Sequence, residues 1–387
     1  MKRFSAWLLF AVLLGPAPAA ASSLKVQVLS KYRMESVEVR GEGLRVSGYK
    51  KGRDFEVGAL SPAKISVVGS RLSLEGKGEF DRLSLRPGPA GLEVKMPDVA
   101  EKGPRRFSGE LEVRVRSGRL FLLERPELED YVDAVLGAEL PEEFPLEAQK
   151  AQAVLVRTYA AAERGRHGAE GFDLCDLTHC QVYAGVPPPS SKRAEAVRST
   201  RGKILAYQGR PATALFHSTC GGHTSPNQRV FGGRPLAYLQ GVSDGDYCAA
   251  SPHSQWRAEI PLEQIAVLLE AGGSAPFRGE VSSILPRDRE PQGRVFSLEL
   301  TAGGQGREVS MMDFLSWIGK TLGWNELKSN WLEVEVKDKA ASFQGRGLGH
   351  GVGLCQWGAK GRAEAGMKYP AILQSYFPGT RIEKQSQ

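Results

Sequence analysis

The stretch from Leu128 to Tyr159 constrains the fold of this chain more than any other. Leu128, Tyr131, Val132, Val135 and Leu136 recur at helical spacing and build one apolar stripe, which ends where Glu139 meets Leu140-Pro141. A carboxylate therefore sits at a helix end. After the turn, Pro145 occupies a natural first helical position, and a second helix is expected from about Leu146 to Ala162. Ala, Val and Leu cover nearly every face of that helix, so it reads as buried. Lys150 and Arg157 lie two turns apart and form a cationic stripe on an otherwise apolar rod. The pattern leaves two readings of Glu139 and these cations: an acid/base site tuned by desolvation against attraction, or a structural ion pair.

The amino terminus carries Met-Lys-Arg, an apolar run from Ala6 to Leu14, and the small residues from Pro16 to Ser23, with a cleavage site near Ala19-Ala-Ala21. Residues 1–21 read as a secretory signal peptide. No second apolar run of transmembrane length follows, so the mature chain is expected to be exported, to the periplasm or cell wall, with no transmembrane segment. Without Lys2 and Arg3, the formal net charge of +7 becomes +5. This modest excess is spread along the chain, which argues against nucleic acid and suits an anionic wall polymer or membrane surface.

Pairing is the default expectation for cysteines in an exported protein. Cys220 and Cys248 are moderately spaced and read as a disulfide, while Cys355 stands alone. Cys175 and Cys180 are different because His179 lies beside them. Two thiols and an imidazole within six positions also form a partial zinc site, with His167 as a fourth ligand. Disulfide and zinc both stay open there.

From Leu24 to about Val115 apolar and polar residues alternate, as in Ser36-Val-Glu-Val-Arg40, with glycine-containing turns between. No cluster of His, Cys or paired acids interrupts these strands. A β-rich accessory region is therefore assigned to residues 22–106, followed by a region at 107–387 in which helices and strands mix. The fold class is α+β. Lys203–Tyr207 and Ala212–His217 read as a hairpin-like pair that delivers His217, Ser218 and Cys220 at its far end. A thiol or hydroxyl hydrolase built on these three residues finds no supporting spacing of acid, base and nucleophile. Near the end, alternating glycines from Gly345 to Gly353 allow close backbone approach to a ligand and leave His350 and Gln356 as the prominent side chains. No Gly-Lys-Ser/Thr follows, so this is not a nucleotide loop.

Taken together, five ordered blocks resemble the stage II sporulation protein D family, which includes the amidase enhancers. They are Leu128-Glu-Asp-Tyr-Val with Gly137-Ala-Glu-Leu-Pro; Ala148 to Val154 with Arg157-Thr-Tyr; Cys180-Gln-Val-Tyr; Phe216 to Thr224; and Gly345 to Gly353 with Gln356-Trp-Gly-Ala. The resemblance implies a peptidoglycan lytic transglycosylase that cleaves between N-acetylmuramic acid and N-acetylglucosamine with 1,6-anhydro product, on glycan strands stripped of their peptides. The alternative it implies is a non-catalytic glycan-binding regulator that stimulates a cell-wall amidase. By position, Glu139 matches the catalytic glutamate, Lys150 and Arg157 match the cationic helix residues, and Cys175, His179, Cys180 and His167 match a zinc site. His217, Ser218, His350 and Gln356 would line a glycan groove. One departure is Cys355, where the family usually has Ser before Gln.

A lytic transglycosylase needs one acid rather than the two carboxylates of an ordinary glycosidase. Glu139 would protonate the leaving oxygen and then take the proton of the muramic C6 hydroxyl. Burial would have to raise its pKa, with Lys150 or Arg157 opposing.

Overall fold

The computed structural model describes residues 23–272 and 279–385; the signal-peptide segment lies outside them. The helices are α1 (Leu128–Glu139), α2 (Leu146–Ala162), α3 (Ser191–Ser199), α4 (Asn227–Phe231), α5 (Leu262–Gly272), α6 (Met311–Thr321), α7 (Gln356–Glu364) and α8 (Tyr369–Tyr376). The two expected helices fall where the periodicity places them. α1 stops because the residue before Pro141 is driven out of the helical region, and Leu140 is extended at φ −122°, ψ 137°. Pro145 precedes α2 as its cap, one position earlier than expected, and its carbonyl accepts from Gln149 N–H at 3.1 Å.

α2 is the central post of the molecule. Residues Ala151 to Ala160 are all buried, and α1, α3, α7, α8 and the strand Lys203–Tyr207 pack around it. A helix that is apolar on every face can be satisfied only by neighbours on every side.

The alternating amino-terminal strands form two antiparallel-dominated sheets packed on one another. One has the order Leu174–Cys175, Val26–Val28, Arg119–Arg125, Glu110–Arg116, Arg82–Arg86, Arg45–Lys50 and Arg53–Ala59. The other runs Arg105–Phe107, Leu92–Lys95, Ser36–Arg40, Ala63–Val68, Arg71–Leu74 and Gly78–Phe80. Their inward residues, such as Val39, Ile65, Leu83, Leu85 and Val113, share one core with α1 and α2. Strands beyond residue 107 belong to the same sheet as strands before it, and Leu174–Cys175 adds a parallel edge next to Val26–Val28. The β-rich part thus holds the segment that carries Cys175.

A second, separate core lies between Trp256 and Phe343. Two three-stranded sheets build it, Trp256–Pro261 with Ala340–Gly345 and Leu332–Lys337, and Val281–Pro286 with Ser297–Ala302 and Gln305–Ser310, together with α5 and α6. Among the described residues no helix is long and apolar enough to cross a membrane.

The expected hairpin is only half formed. Lys203–Tyr207 pairs with Arg210–Pro211, but Phe216–His217 leaves it and runs parallel to Leu354–Cys355. That pairing brings the histidine strand and the glycine-rich loop together.

Candidate functional site

Glu139, the last residue of α1, lies on the wall of a cavity of about 660 Å³. Tyr159, Glu163, Arg166, His179, Cys180, His217, Ser218, Phe231, His350 and Gln356 also line it. The half-buried Glu139 accepts a hydrogen bond at Oε1 from Val182 N–H, 2.8 Å away. Burial raises its pKa above the ordinary carboxylate value, and the Val182 N–H opposes that rise only in part.

The two helix cations do not line this cavity. Arg157 is fully buried, and its Nε and Nη2 bind Glu129 at 3.0 and 2.6 Å, while Nη1 donates to the carbonyls of Lys203 and Ala153. Lys150 pairs with Glu147 at 3.0 Å. Neither lines the cavity, so the expectation that they hold substrate or oppose the pKa of Glu139 is corrected. The helical period puts Arg157 on the face of α2 turned toward Glu129 at the start of α1, away from Glu139 at its end. The cavity cation is Arg166, just past α2, which pairs with Glu163 at 2.7 Å.

His217, Ser218, His350 and Gln356 line the cavity. His350 Nε2–H donates to Phe216 O at 2.9 Å and its Nδ1 accepts from Val352 N–H at 3.1 Å, which assigns the tautomer. Burial pushes its pKa down to about 4, so the ring is neutral. His217 Nδ1–H donates to Val352 O at 3.1 Å, leaving Nε2 as a buried acceptor without a partner among the described residues. Gln356 Nε2 approaches the Glu139 carbonyl at 3.4 Å and ties α7 to the end of α1. Phe231, with 51% of its surface exposed, supplies an apolar platform at the cavity, and its ring centroid lies 5.2 Å from that of His350.

Glycines make this assembly possible. Gly353 has φ +73°, and a Cβ there would meet the Leu215 carbonyl oxygen at 2.2 Å. Gly353→Ala is expected to break the pairing of Phe216–His217 with Leu354–Cys355 and to cost at least about 2 kcal/mol. Denaturant unfolding checks this, and an unchanged midpoint would contradict the tight approach.

Beside Glu139, His167, Cys175, His179 and Cys180 converge, with ligand atoms all within 4.8 Å of one another. Cys180 Sγ is 3.4 Å from His167 Nε2 and 3.7 Å from His179 Nδ1, and Cys175 Sγ is 3.8 Å from His179 Nδ1. His167 Nδ1 faces Glu170 Oε1 at 2.6 Å, the outer carboxylate that a metal-binding imidazole commonly has. Hydrogen bonding, that of Cys180 first, holds the Cys175 thiol well below the ordinary thiol range despite burial. Two imidazoles and two thiols at these separations fit tetrahedral zinc. Val182, whose N–H reaches Glu139, is two residues beyond Cys180.

Tyr159, Glu163, Arg166 and Phe231 were not anticipated as lining residues. Tyr159 and Glu163 could have been found from the sequence, since they lie at the end of α2 shortly after Arg157, whereas Phe231, the last residue of α4, reaches the cavity only through tertiary packing.

Residues 116–207, from the strand before α1 through α3 to Tyr207, match the family model described as stage II sporulation protein. An uncharacterized protein of Brachyspira hyodysenteriae is 27% identical over 360 residues, 93% of this chain and 92% of its own. The amidase enhancer of Bacillus subtilis is 28% identical over 64% of this chain, and the match spans 39% of the enhancer's length. The stage II sporulation protein D of Bacillus amyloliquefaciens is 29% identical over 66% of this chain and 74% of its own. Residues 116–207, which hold Glu139, α2 and the His/Cys cluster, match the stage II sporulation protein family, and the chain around them is similar to stage II sporulation protein D and to the amidase enhancer.

Proposed function

We propose that this protein is an exported peptidoglycan lytic transglycosylase that cuts between N-acetylmuramic acid and N-acetylglucosamine and leaves a 1,6-anhydro end. The observation that carries the reading is Glu139: a half-buried carboxyl on a cavity wall, its pKa raised by burial, with one backbone N–H as its partner.

Protonated Glu139 donates its proton to the glycosidic oxygen as the C1–O bond breaks. The Val182 N–H then stabilises the carboxylate that forms. That carboxylate removes the proton from the C6 hydroxyl of the same muramic residue, whose oxygen attacks C1. The acid is regenerated and no water is consumed. Ser218 on the cavity wall can meet a sugar hydroxyl, and Phe231 offers a face for the C–H surface of a pyranose ring. Arg166 would meet the lactyl carboxylate that peptide-stripped muramic acid exposes.

His167, Cys175, His179 and Cys180 would hold zinc, which supplies a structural clamp on the segment leading to Val182. Removing it by chelation is expected to lower both stability and activity without changing the product.

Glu163 is the second carboxyl at the cavity, and its ion pair with Arg166 argues against a role as nucleophile or base. The test is to incubate the mature protein with intact and peptide-stripped glycan and analyse the ends by mass spectrometry. Anhydro-muramic ends are expected, also from Glu163→Gln. Reducing ends would instead indicate hydrolysis. Absence of any cut, together with acceleration of an added cell-wall amidase, would favour the regulator reading that the enhancer relative suggests.

A further inference from the structure

Behind the cavity wall lies another group of ligands, drawn from segments far apart in sequence. Cys220, Asp244, Cys248 and Cys355 place their ligand atoms within 4.8 Å of one another, and all four residues are at most 2% exposed. We propose that they form a second zinc site, a Cys3Asp centre that pins the glycan-facing segments together.

Spacing supports this. Zinc with Zn–S bonds of about 2.3 Å in a tetrahedron places its sulfurs about 3.8 Å apart, and Cys220 Sγ and Cys248 Sγ are 3.7 Å apart. Asp244 Oδ2 is 3.2 Å from Cys220 Sγ. Its other oxygen is already engaged by Tyr376 Oη–H and by Arg362 Nη2 at 3.1 Å, which turns Oδ2 toward the thiols. Outer groups that orient a ligand in this way are characteristic of metal centres.

The hydrogen bonds favour thiolates. Cys220 N–H and Gly358 N–H each donate to Cys355 Sγ at 3.2 Å, and Gly222 N–H donates to Cys220 Sγ at 3.3 Å. Charge makes an independent case. Arg294 is only 1% exposed, donates to the Cys220 carbonyl and to Asn330 Oδ1, and has no carboxylate within ion-pair distance among the described residues. A buried guanidinium left without an anion is expensive. Three thiolates and one carboxylate around Zn²⁺ leave two negative charges, which Arg294 and Arg362 offset. With three neutral thiols, or with a Cys220–Cys248 disulfide, Arg294 is left mainly to Glu290, which acts on it from beyond ion-pair distance.

The position explains the purpose. Cys220 follows His217 and Ser218, and Cys355 precedes Gln356. Binding metal there would join the histidine strand, the Asp244–Cys248 loop and the start of α7 beneath the cavity. It also accounts for a thiol at position 355, one residue before Gln356.

The test uses the full mature chain, purified without chelator. Native mass spectrometry and elemental analysis give zinc per chain for the parent, Cys355→Ser, and His179→Ala. Cys355→Ser is expected to hold one zinc fewer than the parent, whatever the parent's total, so failure at the His167 cluster is read separately. Should Cys355→Ser fold poorly, a cobalt-loaded Cys175→Ala, Cys180→Ala protein serves instead, because it leaves no thiol in the His167 cluster, and a thiolate-to-cobalt charge-transfer band is expected. Equal zinc in parent and Cys355→Ser, or no such band, overturns the proposal. So does an unreduced parent whose mass is two hydrogens low and whose peptide map joins Cys220 to Cys248.

Discussion

Glu139→Gln is expected to lower the formation of anhydro ends by about a thousandfold, the scale of a lost general acid/base. Glutamine keeps the size of the side chain, and its carbonyl still accepts from Val182 N–H, so the wall of the cavity stays in place. What is lost is the transferable proton. Binding of peptide-stripped glycan should be retained, which separates loss of chemistry from loss of the cavity.

The same residue dictates a pH dependence. Its pKa is raised by burial, so the parent's activity should fall on the alkaline side as pH rises through that value, and the limb should be absent from residual activity in Glu139→Gln. Linkage gives a stability counterpart with a definite sign. A carboxyl whose folded pKa lies above its unfolded one stabilises fully below the unfolded value, and this contribution is lost as pH rises through the folded value. Glu139→Gln should therefore be at least as stable as the parent above that window. Full anhydro-product formation by the glutamine variant would end the transglycosylase reading.

Glu129→Ala is expected to destabilise the fold by roughly 3 to 5 kcal/mol, because it strands the Arg157 guanidinium in the core. The carboxylate also accepts from Gly202 N–H at 3.2 Å, so two elements lose their anchor. Activity per folded molecule should barely change. Replacing both partners, Glu129→Leu with Arg157→Met, should recover most of the stability, since an apolar pair of similar volume avoids the buried charge altogether. Denaturant unfolding of the single and double variants measures this, and a single variant with normal stability but lost glycan cleavage would return Arg157 to the substrate.

These two results separate residues that looked alike in the sequence. Glu139 and Arg157 are both charged residues on largely apolar helices, and the pattern alone permits either to be catalytic or structural. The period of α1 was legible because five apolar residues repeat on one face, and Pro141 marks its end. Which residue each charge meets was not legible, because α1 and α2 could cross with Arg157 against either end of α1. Packing sets Arg157 against Glu129 and leaves Glu139 to the cavity. The His167 to Cys180 cluster was visible because its ligands are close in sequence and short turns can converge them. Cys220, Asp244, Cys248 and Cys355 were not visible as a group, since a strand pairing between Phe216–His217 and Leu354–Cys355 brings their segments together.

The sequence by itself determined the local elements: the α1 and α2 boundaries, the alternating strands, the glycine-rich loop, and the α+β class. Periodicity and turn chemistry act over a few residues, and these features need nothing more. Only the tertiary structure decided the second core between Trp256 and Phe343, the partner of each buried charge, and the burial that raises the pKa of Glu139. Desolvation and ion pairing depend on what surrounds a group in space, and here the surroundings come from segments as far as 217 residues away, as with Gln356 beside Glu139.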